Sequence, residues 1–390
     1  MSGLESLARS PYFEGVAPES LEAILRAGSL VRFAPAEVAL RPGDDHRALH
    51  LVLEGSLEVR LEQESGTVTR VAAGEYFGEM AVIDGRPASA WVVATSACEI
   101  LRVSEEKVFS DLLPQPGFAR GLLRLLSSRL RQTLERQVAF EVVRKELRLA
   151  HEIQSSMLPP GGALFPEHPE VDCAAAMDPA TEVGGDFYDA FFLDERHLFF
   201  AVGDVAGKGI GAALFMARAL TLLRAEALRR RPLHELLSRV NEALAEGNDQ
   251  ATFVALTCGI LDAWSGALRY ANGGGGAPFL RGGGRWTRLP MPRGIVVGAM
   301  PGFAFESARA RLAPGDALVL FSDGVTEARS PDDELFGLAR LTAALESTGE
   351  IAAVDRLEAI RAAVRAFAGG GQPADDLTLL VVGRPPSAAA

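Results

Sequence analysis

Apolar and polar positions follow three patterns along the chain, and each pattern predicts a different kind of structure. Between residues 12 and 112, short runs rich in β-branched residues alternate with Gly turns, which predicts strands. These runs are Leu49–Leu53, Ser56–Leu61, Val68–Ala72 and Trp91–Val103. Their spacing of roughly 8–12 residues is typical of a β-sandwich or barrel. A helix with Pro18 and Glu19 in its first turn precedes the strands.

The stretch from Phe118 to Ser156 has the pattern of one long helix. It contains no Pro, and no Gly after Gly121, while apolar residues recur in steps of mostly four or five. Two interpretations stay open, a solvated connecting helix and a dimerising signalling helix. We favour a homodimer, because a long apolar stripe must be covered and a second copy is the simplest cover. The run Pro159–Gly162 ends the helix.

Strand-like and helix-like segments mix between residues 165 and 388, which predicts an α+β layered domain. The predicted strands are Leu198–Val202, Thr252–Leu261, Ala317–Phe321 and Thr378–Val382, and the predicted helices are Ala212–Arg230, Leu233–Glu246 and Ala352–Phe367. We therefore predict three parts: a β-rich domain at 1–117, a helical linker at 118–160 and an α+β domain at 161–390.

Composition and charge narrow the class of protein. The chain has 390 residues, of which 48% are hydrophobic and 23% charged, so it can bury sizeable cores and is not disordered. Its net charge of −12 argues against nucleic-acid binding, which needs a basic face. No apolar run reaches the ~18–20 residues of a membrane span. The three cysteines lack metal-ligand spacing, so we expect buried thiols in a cytoplasmic protein with no membrane partner.

The most informative polar residues are four aspartates, three of which directly follow or precede a predicted strand, with small Gly residues nearby. They are Asp186 in VGGDFYD, Asp204 in VGDVAGKG, Asp323 in FSDGVTEA and Asp375 in ADDLT. One such Asp alone is typical of a turn. Four in this context predict a shared cleft at the strand ends. Carboxylate oxygens without His or Cys suit Mg²⁺ or Mn²⁺, and a bound cation would offset their mutual repulsion.

Four separated segments in residues 165–385 match one known family in order. GGDFYD, GDVAGKGIGAAL, FSDGVTEA and DDLT resemble the metal-dependent protein Ser/Thr phosphatases, the PPM family, and more closely its bacterial stage II sporulation protein E branch. The resemblance implies an αββα sandwich with two Mn²⁺ or Mg²⁺ ions in its cleft. It implies that Asp204 bridges both ions. Asp186 and the carbonyl of Val205 would bind one ion, and Asp323 and Asp375 the other. A water polarised by both ions would attack the phosphoryl group.

One position departs from this family. The strand before the substrate-side loop often carries Ala-Asn-Ala-Gly-His, and here Gly275 stands where the His is usual. A His there could act as acid or base. We expect its absence to slow turnover or to alter substrate choice. We still expect an active enzyme, because the metal carboxylates are intact.

Residues 12–130 resemble the cyclic-nucleotide-binding domain, a β-roll with flanking helices. The matching segments are RPGDDHRALHLVLEGSLEV at 41–59 and GEYFGEMAVIDGRPASAWVVA at 74–94. The resemblance implies that Glu79 binds the ribose 2′-hydroxyl. Ala88 stands where the phosphate-binding Arg is usual, and Arg86 could replace that Arg only if the loop is rearranged. The domain therefore binds either a cyclic nucleotide or another effector, small molecule or protein. The implied contacts are Gly78, Glu79, Met80, Ala81, Arg86, Ala88 and Ser89.

Together these features predict a phosphatase that acts on phosphoserine or phosphothreonine of a protein partner and is gated by the N-terminal domain through the linker. The linker end at 146–159 resembles the helix that precedes such domains in stress-response regulators. By resemblance, the substrate is a phosphorylated anti-sigma-factor antagonist. One alternative is a catalytically silent, ligand-responsive scaffold. Another is a cyclic-nucleotide-dependent transcription regulator, which the acidic charge and the continuous helix after the sensor argue against.

Overall fold

The computed structural model describes residues 16–45, 47–61, 67–370 and 375–386, together with residues 5, 7, 8 and 13. The chain divides into two compact units, Met1–Glu141 and Val142–Ala390. This division lies inside the predicted linker at 118–160, so the linker residues are shared between the two units. Among the described residues, no helix is both long and apolar enough to cross a membrane.

Two antiparallel sheets and short helices form the first unit. Its strands are β1 (Ser29–Phe33), β2 (Val38–Leu40), β3 (Ala48–Glu54), β4 (Ser56–Arg60), β5 (Thr67–Ala72), β6 (Tyr76–Phe77), β7 (Trp91–Ala94) and β8 (Cys98–Ser104). Its helices are α1 (Pro18–Ala27), α2 (Glu79–Asp84) and α3 (Glu105–Lys107), followed by a π-helical turn at Val108–Leu112. The sheets are ordered β1-β8-β3-β6 and β2-β7-β4-β5, which is the predicted β-roll.

The predicted run Trp91–Val103 is two strands rather than one. Strands β7 and β8 lie in different sheets, so the chain must leave one ladder before it joins the other. At the break, Thr95 N donates to Ser56 O at 2.9 Å, and Ser96 Oγ accepts from Ser56 N at 3.0 Å. The pairing with β4 therefore runs to Thr95, and Cys98 already pairs with β1 in the other sheet, a change that the alternation of apolar residues did not reveal.

The predicted long helix is α4 (Pro116–Met157), with 42 residues. Its first turns bury Phe118 and Leu122 in the core of the first unit. Leu130, Leu134 and Val138 are at least half exposed and lie on one side of the helix, because each residue turns about 100°. Phe140 is 67% exposed and lies about 120° around the helix from the middle of this group. The exposed apolar residues therefore spread around the helix instead of forming the single stripe predicted from the sequence.

The second unit contains eleven strands and five further helices among the residues described. The strands are β9 (Gly162–Leu164), β10 (Asp172–Asp178), β11 (Phe187–Phe192), β12 (His197–Val205), β13 (Val254–Asp262), β14 (Ala267–Gly273), β15 (Phe279–Gly282), β16 (Arg285–Arg288), β17 (Ser307–Arg311), β18 (Ala317–Phe321) and β19 (Leu377–Gly383). The helices are α5 (Ile210–Ala227), α6 (Leu233–Ala245), α7 (Asp323–Glu327), α8 (Gly337–Ser347) and α9 (Ala353–Phe367).

These elements form four layers, the predicted αββα sandwich. The sheets are ordered β11-β12-β13-β14-β17 and β16-β15-β18-β19-β10-β9. Successive residues of a strand face opposite sides, so Phe200 of β12 packs between the sheets with Leu380, whereas Phe199 packs outward with Met216 of α5. Helices α8 and α9 cover the other sheet through residues such as Leu341. The strand ends that carry the aspartates belong to both sheets.

Candidate active site and ligand pocket

The antiparallel pairing of β11 with β12 brings two of the predicted aspartates together. Phe187 lies opposite Gly203 in this ladder. One further step in the same register places Asp186 opposite Asp204. Opposite side chains of an antiparallel pair lie on the same face of the sheet. The carboxyl groups of Asp186 and Asp204 therefore share one site.

The second sheet supplies the other predicted aspartates at its own strand ends. Asp323 opens helix α7 just after β18, and Asp375 lies two residues before β19. These strands pair with each other, and the pairing continues past β18, where Ser322 N donates to Thr378 O at 3.0 Å. Asp323 and Asp375 thus lie at the same end of the second sheet.

A buried hydroxyl joins the two sheets at this end. Thr378 Oγ1 donates a hydrogen bond to Asp186 Oδ2 at 2.6 Å. Thr378 is itself fixed, because its backbone N donates to Ser322 Oγ at 3.0 Å. Asp186 is 2% exposed and Thr378 is fully buried. The link holds an aspartate of one sheet against the strand end of the other.

Burial and like charge both act on the acidities of these groups. Burial, and then the Asp204 carboxylate, raise the pKa of Asp186 well above its usual value. Burial, followed by Asp323, raises the pKa of Asp204 to about 6. Burial, Glu327 and Asp375 also raise the pKa of Asp323. The carboxyl groups therefore destabilise one another's charged forms, and positive charge placed among them would favour those forms.

The oxygen donors present here fit a hard divalent cation such as Mg²⁺ or Mn²⁺. Besides the carboxylates, the carbonyl of Val205 lies close to the loop before Asp186, because Val205 N donates to Gly185 O at 3.3 Å. A Cβ added to Gly185 would lie 2.7 Å from Val205 O, so glycine permits this approach. Within the described part of the chain, no three Asp, Glu, His or Cys side chains have the geometry of a metal site. The metal ligands are therefore assigned from the chemistry of the oxygen donors and from which donors lie near one another.

Other charged groups near the cluster have partners of their own. Lys208 Nζ lies 3.1 Å from Asp375 Oδ2, so Asp375 takes part in an ion pair. Asp189, from the same GGDFYD segment, forms two hydrogen bonds with Arg224 of α5, at 2.7 and 2.9 Å. Asp376 Oδ1 accepts a hydrogen bond from a backbone N–H at 2.8 Å. Asp189 and Asp376 thus fix the backbone around the cluster.

A cavity of about 230 Å³ lies beside Asp204 and Asp323, and the loop Gly274–Gly276 forms part of its wall. A Cβ added to Gly275 would lie 2.6 Å from Thr257 Oγ1, closer than real Cβ atoms come to other atoms. No side chain fits at this position without movement of strand β13. The local packing therefore leaves no space for the usual His at position 275.

The end of helix α4 contacts the loop that leads to Asp186. Gln154 is 6% exposed. Its Nε2 donates to Gly184 O at 2.7 Å, and its Oε1 accepts from Gly184 N at 3.3 Å. Pro159 lies just beyond the helix, and its carbonyl O accepts a hydrogen bond from the Tyr188 hydroxyl at 2.7 Å. The helix end is thus fixed to the segment that carries one of the aspartates.

In the first unit, Glu79 is buried at the start of α2 and has a charged partner. It is 3% exposed, and its carboxylate pairs with the guanidinium of Arg129 from α4. Arg129 Nη2 also donates to Tyr76 O at 2.9 Å. The residue that the resemblance assigns to a ribose hydroxyl therefore contacts the long helix.

Most other residues of the predicted ligand pocket are near the surface. Ala88 is half-buried and held by its backbone, since its N donates to Asp44 O at 3.0 Å and its O accepts from Gly43 N at 2.8 Å. The side chain of Arg86 is 85% exposed and lies 4.0 Å from Asp84. Met80 and Ser89 are exposed, Gly78 is half-buried and Ala81 is buried.

Three residues of these sites were not identified from the sequence: Thr378, Gln154 and Arg129. Thr378 lies in the DDLT motif and Gln154 in the segment 146–159. Both segments resemble the family, so the position of each residue within them could have identified it. Arg129 had no such signal, because Glu79, its partner, lies 50 residues earlier in the chain.

Two family models match the chain. Residues 194–385 match the family described as Stage II sporulation protein E (SpoIIE), and residues 30–113 match the Cyclic nucleotide-binding domain. Asp204, Asp323 and Asp375 lie within the first range, and Asp186 lies eight residues before it.

Named relatives resemble parts of the chain. Protein IcfG of Synechocystis is 30% identical over 286 residues, which are 66% of this chain and 44% of IcfG. Phosphoserine phosphatase RsbU of Bacillus subtilis is 28% identical over 191 residues, 48% of this chain and 55% of RsbU. The chain thus spans about half the length of these relatives. The solved SiaA-PP2C domain of Pseudomonas aeruginosa has a TM-score of 0.54 at 22% identity, covering 63% of this chain and 98% of that domain, and shares its fold.

Proposed function

Because the chain joins a cyclic-nucleotide-binding domain to a SpoIIE-type phosphatase domain, we propose that it is a metal-dependent phosphatase that acts on phosphoserine or phosphothreonine of a protein. The observation that carries the proposal is the buried link in which Thr378 binds Asp186 beside Asp204. This link unites the strand ends of both sheets in one acidic site. The similarity to RsbU, a phosphoserine phosphatase by name, supports the reaction class.

The residues of the acidic site have distinct roles in this proposal. Two Mn²⁺ or Mg²⁺ ions, when bound, would supply Lewis-acid charge and lower the pKa of a water between them. Asp204 would contact both ions, Asp186 and the Val205 carbonyl would hold one, and Asp323 and Asp375 the other. Thr378 would orient the Asp186 carboxylate through its hydrogen bond of 2.6 Å. No Ser or Cys nucleophile is required.

The experiment is phosphate release from a phosphoserine peptide and from p-nitrophenyl phosphate, with Mn²⁺, with Mg²⁺ and with EDTA. The proposal predicts release from both substrates with a metal and none with EDTA. Metal binding without any release would favour the catalytically silent scaffold. Release at an equal rate in EDTA would contradict metal dependence.

The finer substrate proposal is a phosphorylated anti-sigma-factor antagonist, which the motif resemblance to the sporulation branch supports. The chain would remove the phosphate from such a protein in preference to an unrelated phosphoserine peptide. Mass spectrometry of the intact antagonist before and after incubation gives a direct measurement. Equal rates on the antagonist and on the unrelated peptide would contradict this specificity.

The proposed control of activity uses two contacts of α4. Arg129, in the first third of the helix, contacts Glu79, and Gln154, in its last turn, contacts Gly184. An effector that competes for Glu79 would change the position or order of Arg129, and the helix would carry that change toward the loop before Asp186. The effector is a cyclic nucleotide or another small molecule, and the helix is proposed to pair with a second copy of the chain.

A further inference from the structure

Arg288, at the end of β16, lines the same cavity as Asp204 and Asp323. It is the only Lys, Arg or His among the described residues that line this cavity. Its side chain is exposed, and no carboxylate of the described chain lies within salt-bridge distance of it. A cation in this position is available to an anion that enters the cavity.

The charges of the proposed site suggest what such a cation would do. Four carboxylates carry −4 and two divalent cations +4, so the loaded cluster is neutral. A phosphoserine adds roughly −1.5 to −2. Lys208 is also near, but it pairs with Asp375 at 3.1 Å and lines a smaller cavity together with Asp204 and Asp376. Arg288 is the cation in the wall of the larger cavity, where an incoming phosphate has room.

The cavity also has room for a phosphoryl group. Its volume of about 230 Å³ far exceeds the roughly 10–15 Å³ that one water requires. The wall at Gly274–Gly276 presents no side chains, and Gly275 admits none. A group that contacts the substrate from this side must therefore come from another element, and β16 supplies one.

We propose that Arg288 binds the phosphoryl oxygens of the substrate in this cavity and so determines preference for a phosphate monoester. This inference rests on the proposed function. A guanidinium offers parallel N–H donors that match two phosphoryl oxygens, whereas an ammonium supplies charge without that geometry. Arg288→Lys should therefore retain only part of the contact.

The test compares Arg288→Ala, Arg288→Lys and Arg285→Ala in the full chain with Mn²⁺. Arg285 begins the same strand, three positions away and therefore on the opposite face, so its removal is a matched loss of charge. Arg288→Ala should lower kcat/KM by roughly 10- to 100-fold on p-nitrophenyl phosphate and on a phosphoserine peptide alike. Arg288→Lys should fall between, and Arg285→Ala should match the native chain.

Calorimetry with inorganic phosphate gives a second readout that needs no turnover. Arg288→Ala should weaken phosphate binding by a similar factor, while circular dichroism reports an unchanged fold, as expected for an exposed side chain. Equal phosphate affinity in Arg288→Ala and Arg285→Ala would overturn the inference, even in an active enzyme. A loss on the peptide alone would also overturn it, since p-nitrophenyl phosphate offers only the phosphoryl group. If the native chain releases no phosphate, the proposed function fails, and calorimetry still decides the role of Arg288.

Discussion

At Gly275 the backbone lies against strand β13 without room for a side chain, whereas its neighbour Gly276 has ordinary space. A Cβ on Gly275 would lie 2.6 Å from Thr257 Oγ1, but the nearest atom to a Cβ on Gly276 would be 3.6 Å away. The two glycines belong to one cavity wall. They therefore form a matched pair for a test of close packing.

Gly275→Ala should destabilise the second unit by about 1–3 kcal/mol, because the methyl group forces β13 to move. Gly276→Ala should change the free energy of unfolding by less than about 0.5 kcal/mol. Urea unfolding of the two variants measures the difference. Equal stabilities would show that the loop relaxes freely and that packing does not explain the missing His.

In the first unit, Ala88 stands where the resemblance implies an Arg that pairs with a cyclic phosphate, and the Arg86 side chain is exposed beside Asp84. A buried Arg–phosphate contact contributes about 2–5 kcal/mol. Native binding of cyclic AMP should therefore be weak, roughly 30 μM to 5 mM for a site otherwise micromolar. Ala88→Arg should strengthen it at least about 30-fold, and Arg86→Ala should have little effect. Calorimetry measures the affinity for cyclic AMP. Submicromolar binding by the native chain, lost in Arg86→Ala, would contradict this prediction.

The aspartates could be predicted from sequence because three of them border an apolar run, and the fourth, Asp186, lies in a Gly-rich motif. The apolar runs do not show which strands pair with one another. Thr378 meets Asp186 only because two sheets stack, and their residue numbers differ by 192. The space around Gly275 likewise depends on β13. Contacts of this kind come from tertiary packing and leave no local pattern.

Among the elements, helix α4 contacts the loop before Asp186 through the hydrogen bonds between Gln154 and Gly184. Gln154 touches no reacting group, so it is a positioning residue. Gln154→Ala should raise the Mn²⁺ concentration for half-maximal activity by about 10-fold or more, since outer contacts orient ligands.

The matched control for Gln154 is Glu152→Ala, which removes an exposed side chain from the same helix turn. It should leave the Mn²⁺ requirement unchanged, and urea unfolding should show similar stability for both variants. If Gln154→Ala lowers stability but leaves the Mn²⁺ requirement unchanged, the contact is structural and does not position the site.

The exposed side of α4 gives a second test for this element. Replacing Leu130, Leu134 and Val138 together by Ser should convert a dimer into monomers in light scattering, because these residues share one exposed side. Phe140→Ser, about 120° around the helix from this group, should leave the dimer intact. A native chain that is monomeric at micromolar concentration would remove the basis for pairing through α4.

Element bounds could be predicted closely where one run of apolar residues forms one strand or helix. Ala317–Phe321 has the predicted bounds, and α4 extends the predicted helix by only a few residues. Helix α8 at Gly337–Ser347 was not predicted, and Trp91–Val103 was predicted as one run. The break in that run follows from a change of sheet, which depends on partners distant in the sequence.

At the scale of the whole molecule, the sequence indicated three parts and the structure has two compact units that divide at Glu141. The periodicity of apolar residues shows where a helix lies in the sequence, but not which unit each of its turns packs against. The turns near Phe118 belong to the first unit and those near Gln154 to the second. The proposed control of the phosphatase by the sensor depends on this sharing of one helix.

The central claim is that the strand ends of two sheets form one metal-dependent phosphatase site. Phosphate release by Asp204→Asn, with Mn²⁺ and a phosphoserine peptide, tests it most directly. The account predicts a loss of about 10³-fold or more, because Asp204 would contact both ions. Asp249→Asn, at an exposed carboxylate of the same unit, should behave as the native chain. Near-native release by an Asp204→Asn variant whose circular dichroism shows a folded chain would contradict the account.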